Sequence, residues 1–565
     1  MFQTFFTEHR TLVFLLGVII VVLPFLVYYV TTALKHHPKG LIAAALSNMG
    51  ERFGYYIMNA VLALFIVSKF GLTDAQAGAI YSVFYCLIYI LSLVGGIIAD
   101  KSQNYNRTIQ WGLIVMALGY VVLSIPLFGT GSDGLIVDSG ATWWAILIVT
   151  CISLLLIAFG NGLFKGNLQA LVGKMYDNFE AEAAKKSPEA LAEAKERRDS
   201  GFQIFYVFIN IGGVIAPFIA PLIREWWLKI HNFVYNADMS ALCHHFLNNT
   251  LVHTNSEGQL VDLTQKFAET SQAVVADPAM LADKAQFCSD YINVFNSGIH
   301  FSFIASVIAM AISLTIFLIS KKKFPQPAKK VVAETTNYTP EEKAAMAKEI
   351  KQRMAALFAV LGIAIFFWFS FHQNGQSLSF FARDFVKSDA VAPEIWQALN
   401  PFFVIVLTPI VMIAFAALAR KGKAISTPKK IGIGMGIAAC AYIFLMVLSF
   451  INNYPSATDF RALLNPVKLG PWVLIITYFF LTVAELFISP LGLSFVSKVA
   501  PRHMVGLCQG LWLGATAVGN IFLWLGPLMY NAWPIQYCWL VFAIVCVISM
   551  AIMFGMVKWL EKVTR

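Results

Sequence analysis

The stretch Ser47-Asn48-Met49-Gly50-Glu51-Arg52-Phe53-Gly54-Tyr55-Tyr56 places a carboxylate, a guanidinium and two phenols inside an apolar run from about residue 41 to 67. On insertion scales a charged side chain at the centre of a membrane helix costs about 2.5–3.5 kcal/mol, so such residues face a bundle interior or a water-filled cavity and pair there. Glu51 and Arg52 therefore read as one polar face of a membrane helix, the alternative being a buried structural pair at a helix contact. Other apolar runs carry isolated polar residues. Lys165 follows Gly160-Asn161-Gly162-Leu163-Phe164, and Asn210 follows Phe205-Tyr206-Val207-Phe208-Ile209. His372 and Gln373 follow Trp368-Phe369-Ser370-Phe371, Asn400 precedes Pro401, and Glu485 precedes Leu486-Phe487-Ile488-Ser489-Pro490. Singly, each reads as a packing hydrogen bond. Together they set two cations, Arg52 and Lys165, in the first half of the chain against one carboxylate, Glu485, in the second. A cavity between two such halves suits a zwitterion with an acid at one end and an amine at the other.

The elements that must position these residues are membrane helices. The chain of 565 residues is 58% hydrophobic and 13% charged, and its mean hydropathy is +0.69, which excludes an ordinary soluble balance. Thirteen apolar runs are readable, at about 11–33, 41–67, 75–99, 108–128, 143–172, 202–228, 294–320, 354–381, 395–419, 431–451, 472–496, 505–530 and 535–560. The connectors alternate between basic and sparsely basic. The rule that basic loops stay in the cytoplasm places 100–107, 174–198, 321–353, 420–430 and 498–502 inside, and 129–142, 229–292, 382–394 and 453–470 outside. The formal charge of +10 is thereby accounted for by short loops, and no basic, aromatic-interleaved patch marks a nucleic-acid binder.

Residues 1–40 read as an extra N-terminal transmembrane helix and a basic linker, 41–320 as a six-helix bundle with an extracytoplasmic insertion at 229–292, 321–353 as a cytoplasmic linker, and 354–565 as a second six-helix bundle. The expected fold class is an all-α polytopic membrane protein of major-facilitator type, two six-helix bundles plus one extra helix, with its site between the halves near the midplane. The insertion is helix-prone over 267–285 and contains Cys243 and Cys288, expected to form a disulfide in an oxidising compartment. No Cys/His cluster has metal spacing, no phosphate-binding loop is present and no nucleophile–base set stands out, so no metal, no cofactor and no enzymatic activity are expected.

These segments resemble the proton-dependent oligopeptide transporter family. Its motif Glu-x-x-Glu-Arg-Phe-x-Tyr-Tyr is matched by Asn48-x-x-Glu51-Arg52-Phe53-x-Tyr55-Tyr56, and its Phe-Tyr-x-x-Ile-Asn-x-Gly by Phe205 to Gly212. Also similar are Gly95-Gly96-Ile97-Ile98-Ala99-Asp100, the lysine at Lys165, Asn400-Pro401, and Glu485-Leu486-x-x-Ser489-Pro490-x-Gly492-Leu493-Ser494. The resemblance implies a multi-pass secondary transporter of the cell inner membrane that imports di- and tripeptides with protons, its partners being small peptides, protons and the lipid bilayer. It also implies the roles. Arg52, Tyr55, Tyr56, Lys165, Asn210, Trp368, Asn400, Glu485 and Trp512 would bind substrate, Glu51 would couple protons with Lys165 paired to it as counter-charge, and His372 would hold the second proton, the alternative for His372 being a neutral imidazole packed between helices. Read from its residues, the loop 95–100 has glycines that allow close helix approach and is expected to form a cytoplasmic gate in which Asp100 meets Arg107 or a helix terminus, the alternative being a plain helix–helix contact. Three positions depart from the family pattern: Asn48 replaces the first glutamate, His372 the acid before the glutamine of the seventh core helix, and Asn59 a second arginine. These departures keep open an alternative, a related carrier of another small solute with altered or absent proton coupling.

Overall fold

A computed structural model describes residues 10–31, 37–102, 104–254, 260–325, 340–387, 391–421, 423, 425–464, 466–500 and 505–564. Helices occupy nearly all of it. In the first half these are α1 (Arg10–Thr31), α2 (Leu41–Phe70), α3 (Asp74–Ser102), α4 (Tyr105–Leu123), α5 (Ala141–Ala184), α6 (Pro188–Ile215), which continues through a 3-10 turn into α7 (Ile219–Ile230), then α8 (Met239–Leu247), α9 (Thr264–Val274) and α10 (Lys284–Ile319). The second half holds α11 (Pro340–Phe371), α12 (Ser377–Asp384), α13 (Leu399–Arg420), α14 (Thr427–Ile451), α15 (Ala457–Ala462), α16 (Trp472–Val499), α17 (Val505–Ile521), α18 (Leu525–Ala532) and α19 (Ile535–Thr564). Among the described residues, eleven helical segments are long and apolar enough to cross a membrane. The two remaining apolar runs are helical as well, as α1 and α4.

Local chemistry sets several boundaries. Asn104 caps α4 by accepting from the Arg107 N–H, and Asp283 caps α10 by accepting from Ala285 and Gln286. At the end of α2, Gly71 adopts φ 64°, a left-handed conformation that glycine takes without steric cost. Pro217 lies in the turn between α6 and α7, where a proline breaks the helical hydrogen-bond ladder.

Helices α2 to α7 and α10 pack as one bundle and α11 to α19 as the other; they meet where α3 crosses α17 and α18 and where α6 meets α13. The most enclosed span is α2, with 83% of its apolar window buried against 22–61% for the others, so the Glu51–Arg52 pair sits at the centre of the first bundle. Glycines let α5 approach closely: a Cβ at Gly95 would lie 2.1 Å from the Gly162 carbonyl oxygen, and one at Gly160 would lie 2.6 Å from that of Gly112. These contacts seat α5 on α3 and α4, and from there Asn161 of α5 reaches Glu51 of α2.

Several sequence boundaries shift. The insertion between spans is 231–283, shorter than 229–292, because α7 runs to Ile230 and α10 begins at Lys284. It is not purely helical: Val252–Thr254 (β1) pairs antiparallel with Leu260–Asp262 (β2), and the helix expected over 267–285 is α9 followed by a 3-10 turn at Pro278–Leu281. The latter part of the 321–353 linker is the start of α11, continuous with the seventh core span. The glycine segment ending at Asp100 is the last part of α3 rather than a loop.

Candidate functional site

On the first bundle, Glu51 is fully buried and chelates its neighbour, Arg52 Nε donating to Oε2 at 2.6 Å and Nη2 to Oε1 at 2.7 Å. Asn161, on α5, donates to the same Oε1 at 2.7 Å. The guanidinium also lies 4.7 Å from the Tyr55 ring centre, and Tyr55 stands edge-on to Tyr56 at 5.4 Å. Lys165, one turn after Asn161, does not pair with Glu51. Its ammonium lies 4.6 Å from the Tyr89 ring centre and has no ion-pair partner among the described residues. The expected Glu51–Lys165 pair is therefore replaced by Glu51–Arg52, because the adjacent guanidinium and the Asn161 amide already occupy both carboxylate oxygens.

On the second bundle, Glu485 (α16) accepts from Asn400 Nδ2 at 2.8 Å, and the same amide donates to Thr482 at 3.1 Å. No cation pairs with Glu485 among the described residues. Tyr56 and Tyr89 each lie within electrostatic reach of both Arg52 and Glu485, so charges from the two bundles converge on these phenols. His372 starts the 3-10 turn His372–Gly375 that separates α11 from α12. Non-helical backbone at membrane depth is tolerated where it is buried in protein or lines a cavity. His372 Nδ1 bonds Asn520 Oδ1 at 2.6 Å, and the ring stacks on Trp368 at 4.9 Å and meets Tyr85 edge-on at 5.2 Å.

The structure thus groups Glu51, Arg52, Tyr55, Tyr56, Lys165, Trp368, His372, Asn400 and Glu485 around these contacts. Asn210 is buried and donates back to the Tyr206 carbonyl of its own helix at 3.0 Å. Trp512 fills the space that a side chain at Gly492 would need, a packing contact between α17 and α16. Of the gate pair, the Asp100 side chain lies outside the described residues, and Arg107 is exposed, its backbone N–H donating to Asn104 Oδ1 at 3.1 Å. Cys243 and Cys288 are both fully buried, near one another and unbridged.

Several contributors were not singled out from the sequence. Tyr81, Tyr85 and Tyr89 recur every fourth residue and line one face of α3, with Tyr81 and Tyr85 stacked at 4.8 Å. That spacing was the available signal. Asn59, where the family pattern has an arginine, accepts from Tyr81 at 3.2 Å and donates to Gln397 of the other half at 3.2 Å. A charge network at the end carrying the insertion had no signal at all. There Asp74 of α3 meets Arg383 at 3.0 Å and Arg461 at 3.1 Å, Asp384 meets Arg383 at 2.7 Å, and Arg224 meets Glu394 at 2.6 Å. Among the described residues, every ion pair that joins one half to the other lies at this end. Lys266 of α9 adds a bond from the insertion to the Arg461 carbonyl at 2.6 Å.

The sequence profile described as the POT family matches residues 106–340 and 328–535. The chain is 27% identical over 486 residues to dipeptide and tripeptide permease B of Edwardsiella piscicida, covering 85% of this chain and 84% of that protein. It is 28% identical over 506 residues to the peptide transporter YePEPT of Yersinia enterocolitica subsp. palearctica, covering 86% of each. Its fold is similar to the crystal structure of a peptide transporter POT in complex with sulfate, with TM-score 0.64, 20% identity and coverage of 94% of this chain and 96% of that one. It is equally similar to a POT family transporter in complex with 5-aminolevulinic acid, with TM-score 0.64, 17% identity and coverage of 94% and 98%.

Proposed function

Because the chain belongs to the POT family, we propose that it imports di- and tripeptides across the cell inner membrane by alternating access, driven by protons. One observation carries the peptide reading: among the described residues, Lys165 on one bundle has no carboxylate partner and Glu485 on the other has no cation partner. Both side chains are half-buried within spans, where an unpaired charge is costly, so a solute bearing both signs relieves each. The solute ammonium would meet Glu485. Its carboxylate would meet Lys165 and Arg52, whose planar fork suits bidentate contact.

Arg52 is available only when Glu51 lets it go. A proton on Glu51 neutralises the acceptor of two charge-assisted bonds, which weakens both and frees the guanidinium for the solute. Proton uptake at Glu51 and carboxylate binding at Arg52 would then favour each other, which is the linkage a symporter needs. Asn161 holds the protonated carboxyl in place. His372, expected from its position to share the proton, is hydrogen-bonded to Asn520 and packed against the rings of Trp368 and Tyr85, and its part is taken up below.

The positive-inside rule puts the 321–353 linker in the cytoplasm and the insertion outside, so the inter-half ion pairs at the insertion end would close the outer face. The direct test is uptake of labelled dipeptides into proteoliposomes, with and without an imposed proton gradient. Gradient-stimulated uptake supports the reading. Uptake that ignores the gradient removes the coupling, and absence of any dipeptide uptake leaves the carrier of another small solute.

A further inference from the structure

The second bundle presents a base whose environment is built for something other than storing a proton. The Asn520 amide nitrogen is directed to the Tyr85 carbonyl at 3.5 Å, which leaves Oδ1 as its acceptor end towards His372. His372 Nδ1 must then carry the hydrogen in that 2.6 Å bond, and in the neutral ring the lone pair falls on Nε2. Nε2 has no hydrogen-bond partner among the described residues. The ring is enclosed by Trp368 at 4.9 Å, Tyr85 at 5.2 Å, Phe371 at 5.6 Å and Tyr89 at 6.1 Å. The titratable groups facing it are the phenols of Tyr85 and Tyr89 from α3 and, across Tyr89, the ammonium of Lys165 from α5. No carboxylate from α3, α5, α11 or α17 pairs with it among the described residues. A second cation beside Lys165, with no acid to offset it, is the arrangement burial penalises most.

We propose that His372 is a substrate-contacting hydrogen-bond acceptor, its Nε2 receiving the peptide-bond N–H of the bound solute. This rests on the peptide reading and deepens it. Glu485 takes the ammonium and Arg52 with Lys165 the carboxylate, which leaves the amide N–H between them needing an acceptor. A buried N–H without one costs binding, so the site discriminates a secondary amide from a tertiary one. Asn520 acts as a positioning residue, since it selects the tautomer that keeps Nε2 bare.

The test is a cycle of ligand against variant, using binding of Ala-Ala and of its analogue methylated on the peptide nitrogen to protein in nanodiscs. His372→Phe should weaken Ala-Ala by about 10- to 100-fold and leave the already weaker methylated analogue nearly unchanged. His372→Gln places an amide oxygen near the position of Nε2 and should restore most of the loss. Asn520→Leu frees the tautomer and should give a smaller loss of the same discrimination; with the Gln variant it carries the test if the Phe variant does not fold. Equal losses for both ligands, or no loss for either, overturn the assignment while the peptide reading stands. If the unaltered protein binds neither ligand, the peptide reading and this assignment fall together.

Discussion

Replacing Asp74 by Asn should open the outer face. Asp74 is fully buried at the start of α3 and is the first half's contribution to a cluster otherwise drawn from the second half. Its carboxylate accepts from Arg383 at 3.0 and 3.3 Å and pairs with Arg461 at 3.1 Å. Asp384 supplies the other negative charge, held by Arg383 and by the Tyr530 hydroxyl at 3.0 Å. Two carboxylates thus balance two guanidiniums, and asparagine leaves the closed cluster one positive charge in excess. Removing one partner of a buried pair costs about 3–5 kcal/mol. The Arg461 side chain is 27% exposed, so water offsets part of this, and about 2–3 kcal/mol is the better figure. The penalty falls on the closed state alone, because separation of the halves wets both guanidiniums. The ratio of outer-open to outer-closed protein should therefore rise about 30- to 150-fold. Spin labels at Asp133 and Leu464, exposed on the first and second halves at that end, report the separation once the exposed Cys151 and Cys440 are replaced. Asp74→Asn should add a long-distance population, and the further change Arg383→Gln should remove part of it by restoring the charge balance. A distance distribution that matches the unaltered protein would refute the assignment of this cluster as the outer closure.

Three further outcomes follow from particular contacts. Burial, with His253, His244 and Arg461 nearby, pushes the His245 imidazole of the insertion down to about 4. The folded ring stays neutral where the unfolded one, near 6.5, takes up a proton, so the insertion keeps its full stability above about pH 6.5 and loses at most about 3 kcal/mol as the pH falls towards 4. Hydrogen exchange across residues 239–254 should accelerate over that window, and His245→Asn should abolish the acceleration; an unchanged acceleration would assign it elsewhere. Cys243 and Cys288, buried neighbours, should be joined in protein isolated without reductant, which closes a loop worth roughly 4 kcal/mol on the chain-entropy account. Burial also pushes the Cys243 thiol up, so oxidation should be slow, and alkylation of both residues in unreduced, denatured protein would count against the bond. Glu485→Gln should weaken a free dipeptide by about 10- to 100-fold and an N-acetylated one hardly at all; equal effects on both would remove Glu485 as the amine partner.

The spans were legible because hydropathy is a local sum: each needs about 20 apolar residues, whatever they pack against. Position 51 was legible for the complementary reason, since adjacent charges in an apolar run have few explanations. Partnership is not a local property. The sequence matched Glu51 with Lys165 by sign and motif, whereas the fold pairs Glu51 with the guanidinium next to it and sets Lys165 over a tyrosine of α3. Which cation wins depends on how α5 sits beside α2, and the glycine contacts at Gly95 and Gly160, which seat α5 on α3 and α4, fix that position. The turn at His372–Gly375 was invisible because Phe367 to Phe371 read as continuous span, and only the surrounding helices tolerate the break there. The closure at the insertion end was the least legible. Asp74, Arg383 and Arg461 lie at the ends of spans or in the loops beyond them, where charges are ordinary, and Asp74 is 309 positions from Arg383. Buried together, the same residues carry energy because little water reaches them to replace a lost partner. On the proposed reading, the polar residues that hydropathy exposes inside spans would locate the solute, whereas those it hides at span ends join the halves, and only the fold tells which end is closed.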